Sequence, residues 1–194
     1  QAHAFFDDRA PWTLVLDRLP RYGGPSGNQR LSDSAVASAV TEADSRVRLA
    51  EAADAKDVAR LLGALAEVEW ESCPPEMPAN VARFLAAHSK SFVLLAEDEG
   101  RAVGVAVVLL MPAIAEGTIQ LFLDDIYVEE SARRKGFGSA LMKATLAASR
   151  AVRAAQISLS TRPDNEEAHR LFERYGFRAA TSVVYELSPE ASAR

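Results

Sequence analysis

The sequence predicts a mixed α/β protein whose central sheet is covered by helices on both faces. Residues 102–110 are almost entirely apolar, as expected of a strand buried on both sides. Val58, Leu61, Leu62, Leu65 and Val68 recur at helical spacing and define an amphipathic helix. The connections are of two kinds. Short turns suited to hairpins alternate with strand–helix–strand stretches suited to crossovers, and that mixture gives a mixed sheet.

The elements follow in order. Residues 11–17 read as a short strand, and residues 19–29, rich in Pro and Gly, as a linker or loop. Residues 31–45 are rich in Ser and Ala, and read either as a weak helix or as a segment without stable structure. Residues 46–50 form a short strand. Asp54 is placed to cap a helix over 55–70, with Asp57 in its first turn. Prolines 74, 75 and 78 break that helix. Val81, Phe84, Leu85 and His88 suggest a second, short one. Residues 91–97 and 102–110 are strands joined by a turn at 98–101. A loop holding Pro112 and Gly117 leads to a strand ending at Val128. A helix follows over 139–152, then a strand at 156–160 and a turn at 162–165. A helix over 166–174 is stopped by Gly176. Residues 177–180 and 182–187 are expected to close the sheet as a strand pair.

Composition excludes several functional classes. Of 194 residues, 48% are hydrophobic and 25% charged, ordinary values for a globular protein. A net charge of −5 argues against nucleic acid as the main partner. The longest apolar run, about ten residues at 102–111, is too short to span a membrane. No basic segment followed by a long apolar one opens the chain, so a cytoplasmic location is expected. One cysteine, Cys73, excludes an internal disulfide. It has no histidine near it in sequence to make it a nucleophile. His3, His88 and His169 lack metal-ligand spacing, so no metal is expected.

The most informative stretch is LFLDDIYVEESARRKGFGSAL at 121–141. It reads as a strand, a basic glycine-bearing turn and a helix. Glycines leave backbone N–H groups free to converge, and the helix N-terminus adds unsatisfied N–H groups and a positive dipole end. Arg133, Arg134 and Lys135 add charge. The guest of such a turn carries phosphates.

LDDIYV at 123–128 with RRKGFG at 133–138 resembles the acetyl-CoA-binding motif of the GNAT superfamily of N-acetyltransferases. NEEAHRLFERYGF at 165–177 resembles that family's second signature. The resemblance spans 46–187. It implies a mostly antiparallel central sheet flanked by helices on both faces, in a domain over 46–189 behind an N-terminal extension, 1–45. That extension could be an adapter, a dimerisation arm, a lid or a poorly ordered tail, and a homodimer is left open. By motif position the coenzyme's pyrophosphate would rest on Arg133, Arg134, Lys135, Gly136, Phe137, Gly138 and Ser139. Its pantetheine arm would pair with the main chain of Ile126, Tyr127 and Val128 as an added strand. Asn165 resembles the family asparagine that contacts this arm, and also suits a turn or helix cap.

The implied reaction is direct transfer of acetyl from acetyl-CoA to a primary amine. An alkyl ammonium, with a pKa of about 10.4, must lose a proton before it attacks. Asp124 and Asp125 are the carboxylates nearest the expected thioester, and family acidic residues on this strand often act as base. Strand alternation pairs Asp124 with Ile126 and Val128, and Asp125 with Tyr127, so only one would face the substrate. Asp124 is favoured slightly. Many family members carry a tyrosine as general acid where this chain has Phe172; Tyr175 or Tyr127 would have to substitute. Glu67, Glu69, Trp70, Glu71 and Glu76 would suit a cationic amine, or simply form a solvated helix end. The strand at 123–128 is similar to that of diamine acetyltransferases, which implies a small cationic acceptor. The alternatives are an acyl-CoA-binding sensor without turnover and a protein N-acetyltransferase.

Overall fold

A computed structural model of the chain describes residues 21–23, 29–31, 34–69, 75–87, 91–115 and 117–181. These fall into two units, Gln1–Ser160 and Thr161–Arg194. The expected strands at 11–17 and 182–187 lie outside the described residues, as do Trp70, Glu71, Cys73 and His88.

The first unit holds a five-stranded sheet in the order β3-β4-β5-β6-β7. Its strands are β3 (Val47–Leu49), β4 (Ser91–Asp98), β5 (Arg101–Ala113), β6 (Thr118–Val128) and β7 (Gln156–Leu159). Neighbours run antiparallel except β6 and β7, which are parallel and joined by α4 (Phe137–Ala151). A parallel pair needs such a crossover, because a tight turn can only reverse the chain. The hairpin between β4 and β5 turns on Glu99 and Gly100, both at positive φ (50° and 80°), the conformation that matches the twist of paired strands.

Two layers of helix sandwich the sheet. On one face α2 (Ala55–Glu69) and α3 (Met77–Ala87) bury Val58, Leu61, Val81 and Leu85 against Val93, Leu95, Val105 and Val107. Strand alternation sends Gly104 to the opposite face. A Cβ built there would lie 3.3 Å from Leu141 Cδ1, so α4 covers that face. There Leu121, Leu123, Leu141 and Met142 are almost fully buried. The helix α1 (Ser34–Ala43) lies against α4 and β3, with Val40 fully buried. The 31–45 segment is therefore helical over 34–43: its alanines and Val40 find a surface to cover.

Three expectations at element ends need correction. Residues 19–29 read as a loop, yet β1 (Arg21–Gly23) and β2 (Gln29–Leu31) pair as a small antiparallel hairpin. Glycine and proline mark a hairpin connection as readily as a linker. Pro112 lies inside β5, not in the following loop. It falls beyond Leu109, the last β5 residue paired with β4, where β5 is an edge and proline is tolerated. Residues 177–180 carry no strand.

In the second unit α5 (Glu166–Arg174) explains that last difference. Gly176 stands at φ 86° just past the helix. Its N–H donates to the Glu173 carbonyl at 2.9 Å, and the Phe177 N–H donates to the Phe172 carbonyl at 3.1 Å. This is a Schellman stop, and the Phe172 and Phe177 rings meet at 6.1 Å, the apolar contact such stops favour. Phe177 thus completes a helix end. Among the described residues no helix is long and apolar enough to cross a membrane.

Candidate functional site

The site begins with an asymmetry in β6. Along one edge it pairs with β5 from Thr118 to Val128. Along the other it pairs with β7 only from Gln120 to Leu123. The ladder with β7 therefore stops at Leu123 and does not extend over residues 124–128. A β-bulge marks the change. Leu123 sits opposite Val108 and Asp125 opposite Val107, leaving Asp124 as the extra residue. Bulges bend and twist a strand, which accounts for the ladder with β7 stopping there.

The bulge also resolves the two aspartates. Unbroken alternation would put Leu123 and Asp125 on one face. With Asp124 inserted, Leu123 faces α4 while Asp125, opposite Val107, shares the α2/α3 face with Tyr127, opposite Val105. Ile126 and Val128, opposite Ala106 and Gly104, face α4. Asp124 is exposed and Asp125 half-buried.

β6 then runs into the expected cradle. A single 3-10 turn over Glu130–Ala132 leads to Arg133, which is extended. Arg134 takes φ 61° and Gly136 φ 88°. Gly136 is the N-cap of α4, which starts two residues earlier than its sequence pattern suggests. The Ala140 N–H donates to the Gly136 carbonyl at 2.9 Å and closes the first helical turn. The N–H groups of Gly136, Phe137 and Gly138 find no backbone acceptor among the described residues. Ser139 completes this first turn. A left-handed residue followed by free amides makes an anion-binding concavity. Fifteen residues of helix dipole point at it.

The cations around the turn are differently employed. The Arg133 Nε donates to the Val128 carbonyl at 3.2 Å, and its guanidinium lies 5.9 Å from the Tyr127 ring centroid. Lys135 Nζ meets Asp98 Oδ2 at 3.3 Å. The Arg134 side chain has no ion-pair partner among the described residues and is exposed.

The sequence reading missed two groups that hold this region. Glu129, directly after β6, is gripped by Arg101 from β5, at 2.7 and 2.9 Å, and by Arg60 from α2. Arg60 also donates to the Ala102 carbonyl at 2.7 Å. The second group is Arg46, whose guanidinium lies against the turn itself. These partners are separated by tens of residues in the chain, and each looks like an ordinary surface charge in sequence.

In the second unit Asn165 is the N-cap of α5, its side-chain oxygen accepting from the Ala168 N–H at 3.1 Å. That leaves its amide NH2 as a donor. His169 Nε2 lies 3.2 Å from the Arg162 carbonyl. Phe172 is buried in the helix stop, and Tyr175, half-buried, is the C-cap. Among the described residues no group of three His, Cys, Asp or Glu could hold a metal.

A strand whose ladder with β7 ends early thus leads into a glycine-capped helix N-terminus with backbone N–H groups turned to one spot. Residues 55–177 match the model of the acetyltransferase (GNAT) family. This is well over half of the chain, and the protein belongs to that family. Its fold is similar to that of a ribosomal-protein-alanine N-acetyltransferase from Brucella melitensis biovar Abortus 2308, at 22% identity and a TM-score of 0.62, covering 73% of this chain and 98% of that one. It is likewise similar to a probable acetyltransferase at 25% identity and a TM-score of 0.63, covering 74% and 97%. A tetramutant of a Bacillus halodurans protein aligns at 27% identity and a TM-score of 0.60, covering 73% and 98%. No curated protein matches the sequence.

Proposed function

We propose that the protein transfers the acetyl group of acetyl-CoA directly to a primary amine, and that the amine is a small cationic metabolite. The observation that carries this reading is the run from the end of the β6–β7 ladder at Leu123 to the start of α4, where the N–H groups of Gly136, Phe137 and Gly138 find no backbone acceptor among the described residues. The main chain of Ile126, Tyr127 and Val128 would pair with the pantetheine arm as an added strand. The amides of residues 136–138, helped by Arg134, would take the pyrophosphate. Asn165 is assigned to the coenzyme's arm by motif position alone.

The chemistry then concerns two protons on the acceptor nitrogen. The acceptor enters as an ammonium and must lose the first H+ before its nitrogen attacks the thioester carbon. A C–N bond forms, the nitrogen gives up its second H+ to become the amide, and the C–S bond breaks; the thiolate leaves with the electron pair and takes up one proton, the other passing to solvent. Asp124 is the base in this reading: the bulge frees it from alternation, and its exposure lets it take the proton through water and release it to solvent. Asp125, which shares the α2/α3 face with Tyr127, would attract the cationic amine. Tyr175 or Tyr127 would return a proton to the thiolate. A coenzyme thiol is an adequate leaving group without one.

A second reading, a module that binds acyl-CoA without turnover, is favoured by Phe172. Its role in the helix stop accounts for a phenylalanine there with no catalytic duty, and it has no proton to give. Thiol release from acetyl-CoA across a panel of amines and peptides decides between them. Turnover on small amines supports transfer. Coenzyme binding with no turnover on any acceptor supports the module, and turnover on peptides alone would replace the small amine by a protein. Gly138→Trp would fill the cradle and abolish coenzyme binding. Unchanged binding in that variant overturns the site.

A further inference from the structure

We propose that Arg46, which precedes β3 and lies outside the family-matched residues, is a positioning residue for the phosphate end of the coenzyme; this rests on the function proposed above. Its guanidinium is fixed from behind. Nε and Nη2 form a fork on the Asp44 carboxylate, both at 2.9 Å, and the backbone N–H of Arg46 donates to the same carboxylate at 3.2 Å. Two parallel N–H···O bonds define a plane as well as a charge. The Asp44 carboxyl is held below the usual carboxylate range by the Arg46 hydrogen bond, so the pair stays ionised at neutral pH. From that anchored plane Nη1 donates to the Lys135 carbonyl at 3.4 Å. The guanidinium also lies 5.1 Å from the Phe137 ring centroid, a cation–π distance. Arg46 thus touches the residues on both sides of Gly136.

The consequence follows from peptide geometry. The Lys135–Gly136 peptide is trans, as is every peptide among the described residues, and in a trans peptide the C=O and the N–H point in opposite directions. With the carbonyl drawn toward Arg46, the Gly136 N–H must point away from it, and that N–H is among those without a backbone acceptor. Glycine at 136 tolerates either sign of φ, which leaves this peptide free to flip. A flip would put a carbonyl dipole where the cradle needs a donor. Arg46 holds the peptide in the donor-outward state and adds a positive charge beside it, while Asp44 holds Arg46.

The test uses the whole protein and two acetyl donors. S-acetyl-CoA carries the pyrophosphate and S-acetyl-pantetheine does not. Arg46→Ala should raise KM for acetyl-CoA by about two- to fivefold, the range for a partly exposed charged contact, with kcat nearly unchanged. Arg46→Lys, which keeps charge but loses the fork, should fall between. With S-acetyl-pantetheine the variant and the wild type should have the same kinetic constants. Calorimetric titration with coenzyme A gives the same comparison if turnover is too slow to follow. An Arg46→Ala affinity for coenzyme A equal to wild type overturns the inference. So does an equal loss with both donors, since that would mean general damage to the fold. Failure of the wild type itself to bind coenzyme A would instead overturn the function on which the inference rests.

Discussion

Replacing Gly136 and Gly100, separately, by alanine distinguishes backbone strain from ligand binding. Both glycines stand at positive φ, 88° and 80°. A Cβ at Gly100 meets nothing within 4 Å, and one at Gly136 meets only the Arg46 guanidinium tips, at 3.9 and 4.0 Å. Neither alanine clashes, so the cost is conformational. An L-residue in this region costs about 1–2 kcal/mol. Against this, alanine restricts the unfolded chain and returns about 0.4–1 kcal/mol. The net is a destabilisation of about 1 kcal/mol for each variant, or a drop in Tm of about 2–4 °C at this chain length. Their ligand behaviour should differ. Gly100 turns a hairpin, whereas the N–H of Gly136 is a proposed phosphate donor. Alanine at 136 relieves its strain by rotating φ, which re-aims that N–H. Losing one hydrogen bond to a charged group weakens coenzyme A binding by about tenfold or more. Thermal melts paired with calorimetric titration read both effects. Equal Tm drops with affinity lost only at 136 support the reasoning. Equal coenzyme affinity in the two variants would refute it.

Other expectations can be checked independently. Asp124→Asn should lower kcat about a hundredfold or more while leaving coenzyme affinity intact. Retained activity would move the base elsewhere. Val40→Ala should cost about 2 kcal/mol in urea unfolding, because Val40 is fully buried where α1 packs against α4 and β3. A neutral result would mean that α1 contributes nothing to stability. Asp54 and Asp44 are held below the usual carboxylate range by hydrogen bonds from Arg48 and Arg46. Groups with depressed pKa values contribute stability that is present above the ordinary carboxylate pKa of about 4. That contribution is lost as pH falls through their folded values. Urea midpoints should therefore fall between pH 5 and pH 3, and Asp54→Asn should reduce the fall; an unchanged pH dependence would deny the Arg48–Asp54 pair its role.

The parts legible in the sequence were those that depend on local spacing. The apolar run of β5, the stripe of Val58, Leu61 and Leu65 on α2, and the glycine turn before α4 each carry their signal within a few residues. Non-local pairing was not legible. Nothing in LFLDDIYV marks Asp124 as a bulge, because the extra residue is defined by Val107 and Val108 on another strand. Sequence parity therefore could not choose between the aspartates. Arg46 and Lys135 are 89 positions apart, and their contact exists only once β3 and α4 are in place. Phe172 was readable as a departure from the family pattern. The reason for it, a partner ring on Phe177 across a helix stop, required the backbone of Gly176.

Thiol release from acetyl-CoA, followed with a panel of small primary amines, tests directly whether the end of β6 and the α4 N-terminus serve acetyl transfer. Release should be amine-dependent, stoichiometric with acetylated product and abolished by Gly138→Trp. Saturable coenzyme binding with no acetylated product from any amine or peptide would rule acetyl transfer out.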